Sequence, residues 1–365
     1  MDQDAFGELE REFAAHGAEA ALEMVARTAR AAKDYRMLFG ARAMEARRRL
    51  GLPLIEPDSA PELADDQRAP YEAALEAAAR EAGDLALRHG DVASAWLYFK
   101  ALGDTAAVAA AIENVGAGEQ LDRVIEIAFQ EGVNVRRGFE LILENRGICN
   151  AITWFPAIRD AGVRQMCLRL LVRSLYQDLA RSLAETIAAA DGTAPATGNV
   201  AELIAGRPSL FEGRSYYVDS THLAALLKFA PELEDTETMR MAAEMADYGC
   251  CLDPIYHFRG DPPFDQPYRD CSMYLHTLLG EDMDAGVAHF RAKAAAGNLV
   301  CAEVFIELLL RLERPVEALA AALEFTPQSP AVPQLCQMAD DFARLRNIAR
   351  ERGDLLGFAA AVILS

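Results

Sequence analysis

Residues 79–102 read AREAGDLALRHGDVASAWLYFKAL, and the spacing of small and large side chains in this stretch decides the fold. Gly83 is followed twelve positions later by Ala95 and four positions beyond that by Phe99, with Gly90-Asp91 as a turn signal between them. Two helices of a hairpin approach closely only where small side chains face one another and a large one fills the adjoining hole. The stretch therefore predicts two antiparallel helices joined by a very short turn.

This arrangement resembles a tetratricopeptide repeat, in which a small residue on the first helix packs against the second. Residues 298–325 repeat the pattern in part: Ala318 and Ala322 occupy the second-helix positions, and Ile306 stands where the small first-helix residue belongs. Residues 282–292 give a further echo, with Ala285 in place and His289 at a position usually apolar. The consensus Trp is missing from all three, and together they span about a third of the chain. The resemblance implies an all-α fold, a tetratricopeptide-like α-solenoid in which antiparallel helix pairs form a right-handed superhelix and offer a concave groove to a peptide or partner helix.

Outward from residues 79–102, helical periodicity recurs almost everywhere. It is punctuated by His16-Gly17, Gly103-Asp104, residues 116–118, Gly132, Gly147, Arg314-Pro315 and Gly353-Asp354. These intervals suit helices of about ten to sixteen residues, roughly eight pairs in all. Residues 52–70, with four prolines and several acids, read as a surface linker. A second linker, residues 191–217, carries one short helix near 199–205. The organisation is thus an N-terminal helical group (1–51), a linker (52–70), central repeats (71–190), a linker (191–217) and C-terminal repeats (218–365) with an irregular loop inserted at 253–270. Trp154-Phe155-Pro156 should end or kink its helix, because proline lacks the amide donor.

Composition narrows the function. A net charge of −20 over 365 residues repels phosphate backbones and anionic lipid surfaces, so neither nucleic acid nor membrane is an expected partner. Arg47-Arg48-Arg49 closes a helical pattern, where cations offset the negative end of the helix dipole. Seven cysteines contain no Cys-x-x-Cys pair and read as reduced thiols. With no signal-peptide pattern at the N-terminus and no span of apolar length, a cytoplasmic location is expected. Glycine-rich phosphate loops and dinucleotide fingerprints are absent, so no cofactor is implied. The apolar tail, residues 355–364, is expected to dock on the last helix pair, with self-association through it as the alternative.

One segment departs from the array. Residues 213–276 hold six of the ten tyrosines and three of the six histidines. Within it, residues 253–270 read DPIYHFRGDPPFDQPYRD, whose four prolines forbid a regular helix and whose aromatic content is too high for a solvated linker. This loop is expected to fold over the start of the helix that begins near Asp219-Ser220-Thr221-His222. Asp219 or Ser220 should cap that helix, and His222 lies close enough to be oriented by Asp219. Metal binding there would need a third ligand from His257, His276, Asp261 or Asp270, and no ligand pair at helical spacing supports it, so no metal is assigned. Ser220, Cys251 and Cys271 lack the surroundings of nucleophiles, and no catalytic residue is assigned. The candidate binding residues are Tyr217, Asp219, His222, Tyr256, His257, Tyr268 and Arg269. The expected function is a protein-binding or adaptor scaffold for a protein or peptide partner, the overall acidity favouring a basic ligand. The competing class is an enzyme or small-molecule receptor with its pocket in residues 213–276.

Overall fold

The computed structural model describes residues 4–55, 63–116 and 118–365. Helix makes up 75% of it, with no strand among the described residues, and the helices pack as many pairs. The chain divides into two compact units, Met1–Gly147 and Ile148–Ser365. That division falls inside the segment 71–190 read above as one helical group. Residues 56–62 of the expected linker lie outside the described residues.

Unit 1 holds α1 (Asp4–Ala32), α2 (Tyr35–Arg49), α3 (Asp65–Arg88), α4 (Val92–Ala101), α5 (Ala106–Ile112) and α6 (Leu121–Ile125). A π-helical turn, Glu126–Gln130, follows α6, and α7 (Val135–Trp154) crosses the boundary between the units. Two glycines expected to mark turns break helices from within: Gly17 in α1 at φ 84° and Gly147 in α7 at φ 78°, a backbone region that side chains with a Cβ disfavour. The hairpin α3–α4 has the predicted contact. Ala95 and Phe99 are fully buried, and a Cβ at Gly83 would lie 2.7 Å from Phe99 Cε2. Asp91 caps α4 by accepting from the Ser94 amide. The three arginines do end α2, and Arg47 does more than offset a dipole. It is buried and donates to the Tyr71 hydroxyl at 2.9 Å and the Pro53 carbonyl at 3.1 Å, tying the segment after α2 to α3.

Unit 2 continues with α8 (Ala161–Asp191), α9 (Val200–Ile204), α10 (Ser220–Leu227), α11 (Thr236–Cys251), α12 (Pro267–Leu278), α13 (Met283–Ala295) and α14 (Leu299–Arg311). It is completed by α15 (Pro315–Phe325), α16 (Val332–Met338), α17 (Phe342–Arg352) and α18 (Leu355–Ile363). From α11 to α18 each helix packs on the next. At 31 residues α8 exceeds the expected length, because after Gly162 no glycine or proline interrupts it. The Trp154-Phe155-Pro156 break is present: α7 ends at Trp154, and Phe155 is buried under the Arg164 guanidinium, 4.2 Å from its ring centre.

Two sequence readings need correction. In residues 282–292 the close-packing register lies one position later, since Ala285 is exposed while Gly286 and Phe290 are buried. A Cβ at residue 286 would overlap the Thr277 hydroxyl of α12, so the site of closest approach selects glycine over alanine. The tail forms α18 and packs on α17 through the fully buried Ala361 and through Phe358, 5.1 Å beneath the Arg350 guanidinium. It covers less than expected: Leu355 is 78%, Leu356 84% and Ile363 81% exposed.

Candidate functional site: the strap after α11

The loop expected at 253–270 is irregular only as far as Gln266. Pro267 is the first residue of α12, where its missing donor is not needed, so the fourth proline begins a helix instead of preventing one. Asp253 caps a short 3-10 turn, Pro254–Tyr256, and the Gly260 amide donates to the Asp265 carbonyl at 3.1 Å. A Cβ at Gly260 would collide with the Phe264 carbonyl, so the turn can close only on glycine.

The strap is fastened at both ends by polar groups, buried at the α12 end and half-exposed at the other. At the α12 end Asp270, 1% exposed, accepts from the Gln266 amide at 2.8 Å, from His289 Nε2 at 2.8 Å and from Lys293 Nζ at 2.9 Å. Lys293 also donates to Asp265. Burial opposes the charge on Lys293, yet the two carboxylates hold its pKa above the ordinary value, and the Lys293 bond holds that of Asp265 below its own. Phe264 packs edge-on against Tyr274 of α12, with ring centres 5.5 Å apart. At the α11 end the Tyr256 hydroxyl donates to the Arg214 carbonyl at 3.1 Å. The Tyr268 hydroxyl lies 3.2 Å from the carbonyls of both Ser220 and Tyr256, and its ring occupies the space left by Gly249. Within residues 253–270 the contact with the start of α10 is thus made by Tyr268, at the beginning of α12, and the strap reaches it through the Tyr256 carbonyl.

Of the two expected capping residues, Asp219 is the cap. It accepts from the Thr221 and His222 amides, and the Thr221 hydroxyl followed by these amides lowers its pKa. His222 is half-buried, and its imidazole has no hydrogen-bond partner among the described residues. His276 Nε2 lies 2.9 Å from Asp247 and Nδ1 2.6 Å from Glu281, and these carboxylates raise its pKa to about 9. His276 and Asp270 are thus both engaged away from Asp219. Among the described residues no three His, Cys, Asp or Glu side chains are grouped to hold a metal ion.

Beside the strap lies a cavity of about 600 Å³. His257, Tyr268 and Arg269 of the expected site line it, whereas Tyr217, Asp219, His222 and Tyr256 do not. Tyr217 donates to the Leu210 carbonyl and Tyr256 to that of Arg214. Cys250, Phe258, Arg259, Asp265, Gln266 and Pro267 complete the wall; Phe258 belongs to the aromatic content that singled out the loop, and none of the six was among the candidate binding residues. Neither Arg259 nor Arg269 has an ion-pair or hydrogen-bond partner among the described residues. In a chain of net charge −20 this cavity sets two guanidinium groups against one carboxylate, Asp265, which Lys293 already engages, so it is locally cationic, opposite to the basic ligand that bulk charge suggested. Cys250 is solvent-exposed, but the packing around its sulfur, then nearby Asp247, pushes the thiol up to about 11. It stays protonated near neutrality and is a poor nucleophile.

No family model, no curated protein and no solved structure matches this chain. Fold and site therefore define its class by themselves: an all-helical protein of packed helix pairs with a strapped, cationic cavity in unit 2. No helix among the described residues is long and apolar enough to cross a membrane.

Proposed function

We propose that this chain acts by binding. Its helix pairs, stacked as a tetratricopeptide-like right-handed superhelix, hold a protein or peptide partner, and the cavity beside the strap receives an anionic group of that partner lying next to an aromatic or apolar one. The observation that carries this reading is the pair Arg259 and Arg269, both exposed and without a salt bridge among the described residues, on a wall shared with His257, Phe258 and an Asp265 carboxylate already bonded to Lys293. Guanidinium groups favour carboxylate and phosphate, and aromatic walls favour a flat or apolar neighbour. The small-molecule reading draws on the same residues, and a cavity of about 600 Å³ lies within the range of ligand pockets. An enzymatic role has less support, since the thiol on the wall is held protonated and the His276 imidazole is held between two carboxylates.

A melting screen tests the proposal with benzoate and phenyl phosphate as probes and benzyl alcohol and benzylamine as controls. Both anions should raise the melting temperature, and Arg259→Ala combined with Arg269→Ala should abolish the rise. A response to benzylamine, or an undiminished response in the double variant, contradicts it.

A further inference from the structure

Residues 355–365, LLGFAAAVILS, contain no charged side chain, although a quarter of the whole chain is charged. In α18 they form a helix with one buried side, which rests on α17 through Phe358 and Ala361. The other side presents Leu355, Leu356, Val362, Ile363 and Leu364 to solvent. Side chains of this size at these exposures present on the order of 500 Å² of apolar surface, near the upper end of what a soluble monomer leaves open.

We infer that this face pairs with the same face of a second copy of the chain, α18 against α18, about a two-fold axis. Three observations select a second copy as the occupant. The face has no charge and offers no side-chain donor or acceptor pattern for a partner to match, so its own copy complements it, as a two-fold contact requires. A net charge of −20 makes copies repel over most of their surface, and this uncharged face lets two copies meet without setting like charges in contact within it. Two such faces brought together bury roughly 1,000 Å², the lower bound for a specific interface, so a reversible dimer is expected. The contact extends the helix-on-helix packing that already joins α17 to α18.

Sedimentation equilibrium on the full chain tests this, with Leu356→Glu combined with Ile363→Glu as the variant. Both positions are exposed in the single chain, so the variant should fold, and an unchanged circular dichroism spectrum verifies it. The wild type should reach a dimer and stop there. The variant should dissociate at least about a hundredfold more easily, because the pairing would bury unpartnered carboxylates. It should also fail to bind tagged wild type, since a two-fold contact needs the same face on both copies. High salt should leave the dimer intact. A wild type that stays monomeric at several hundred micromolar overturns the inference, as does a variant that dimerises normally. Capture of the variant by wild type, or growth beyond a dimer, would instead indicate a head-to-tail contact and also overturns it.

Discussion

The α3–α4 hairpin and the strap both depend on glycines that admit a close neighbour, yet one was legible in the sequence and the other was not. At Gly83 the neighbour is Phe99, sixteen residues on, a separation set by the hairpin geometry itself. At the strap the decisive contacts join Asp270 to His289 and Lys293, nineteen and twenty-three residues on, and no repeated spacing announces them. Repeating packing writes a period into the sequence. A buried polar clasp leaves only a departure from that period.

Breaking the clasp should have the larger effect. Asp270→Ala leaves Lys293 and His289 facing a vacated buried site, and loss of one partner from a buried ion pair costs about 3–5 kcal/mol. Urea unfolding followed by circular dichroism should show that loss for unit 2. A near-neutral result would mean that Asp265 alone can hold Lys293. Gly83→Leu should cost about 1–3 kcal/mol through overpacking against Phe99, this time in unit 1. An unchanged melting temperature would show that the hairpin can relax without penalty.

His289 shows how much of the site could have been read. At a position that the repeat pattern fills with an apolar residue it stands out, and its ring is the one that meets Asp270. That departure was visible in the sequence, but its partner was not, because pairing across the α12–α13 hairpin depends on a register that Gly286 shifts by one residue. The strap's composition foretold a folded-back loop and placed His257, Tyr268 and Arg269 on its cavity. Asp219 and His222 do not line it, and Asp219 is instead engaged in capping α10, a local role that composition does not separate from a binding one. Arg259 and Phe258 lie within the quoted loop, but only the Gly260 turn, closed on the Phe264 carbonyl, determines which residues of it face the cavity.

A smaller effect concerns pH. The two carboxylates raise the His276 pKa to about 9, above the unfolded value of about 6.5. The stabilisation is therefore complete below about pH 6.5 and is lost as pH rises through about 9. With the imidazole partly exposed to solvent, a change of about 1 kcal/mol is expected. His276→Gln should flatten stability against pH over that window, and a slope that persists in the variant would assign it to other groups. Smallest of all, Arg259→Ala with Arg269→Ala should alter stability by less than about 0.5 kcal/mol, since both side chains are exposed and neither makes a salt bridge among the described residues.

That last variant also gives the most direct test of the cavity's role. Isothermal titration of the full chain with phenyl phosphate, for wild type and the double arginine variant, measures anion binding where stability is unaffected. Binding of one phenyl phosphate per chain, weakened at least about tenfold when both guanidinium groups are removed, is the predicted result. Equal binding by the two proteins, or no binding by the wild type, would contradict the assignment of this cavity as an anion-receiving site.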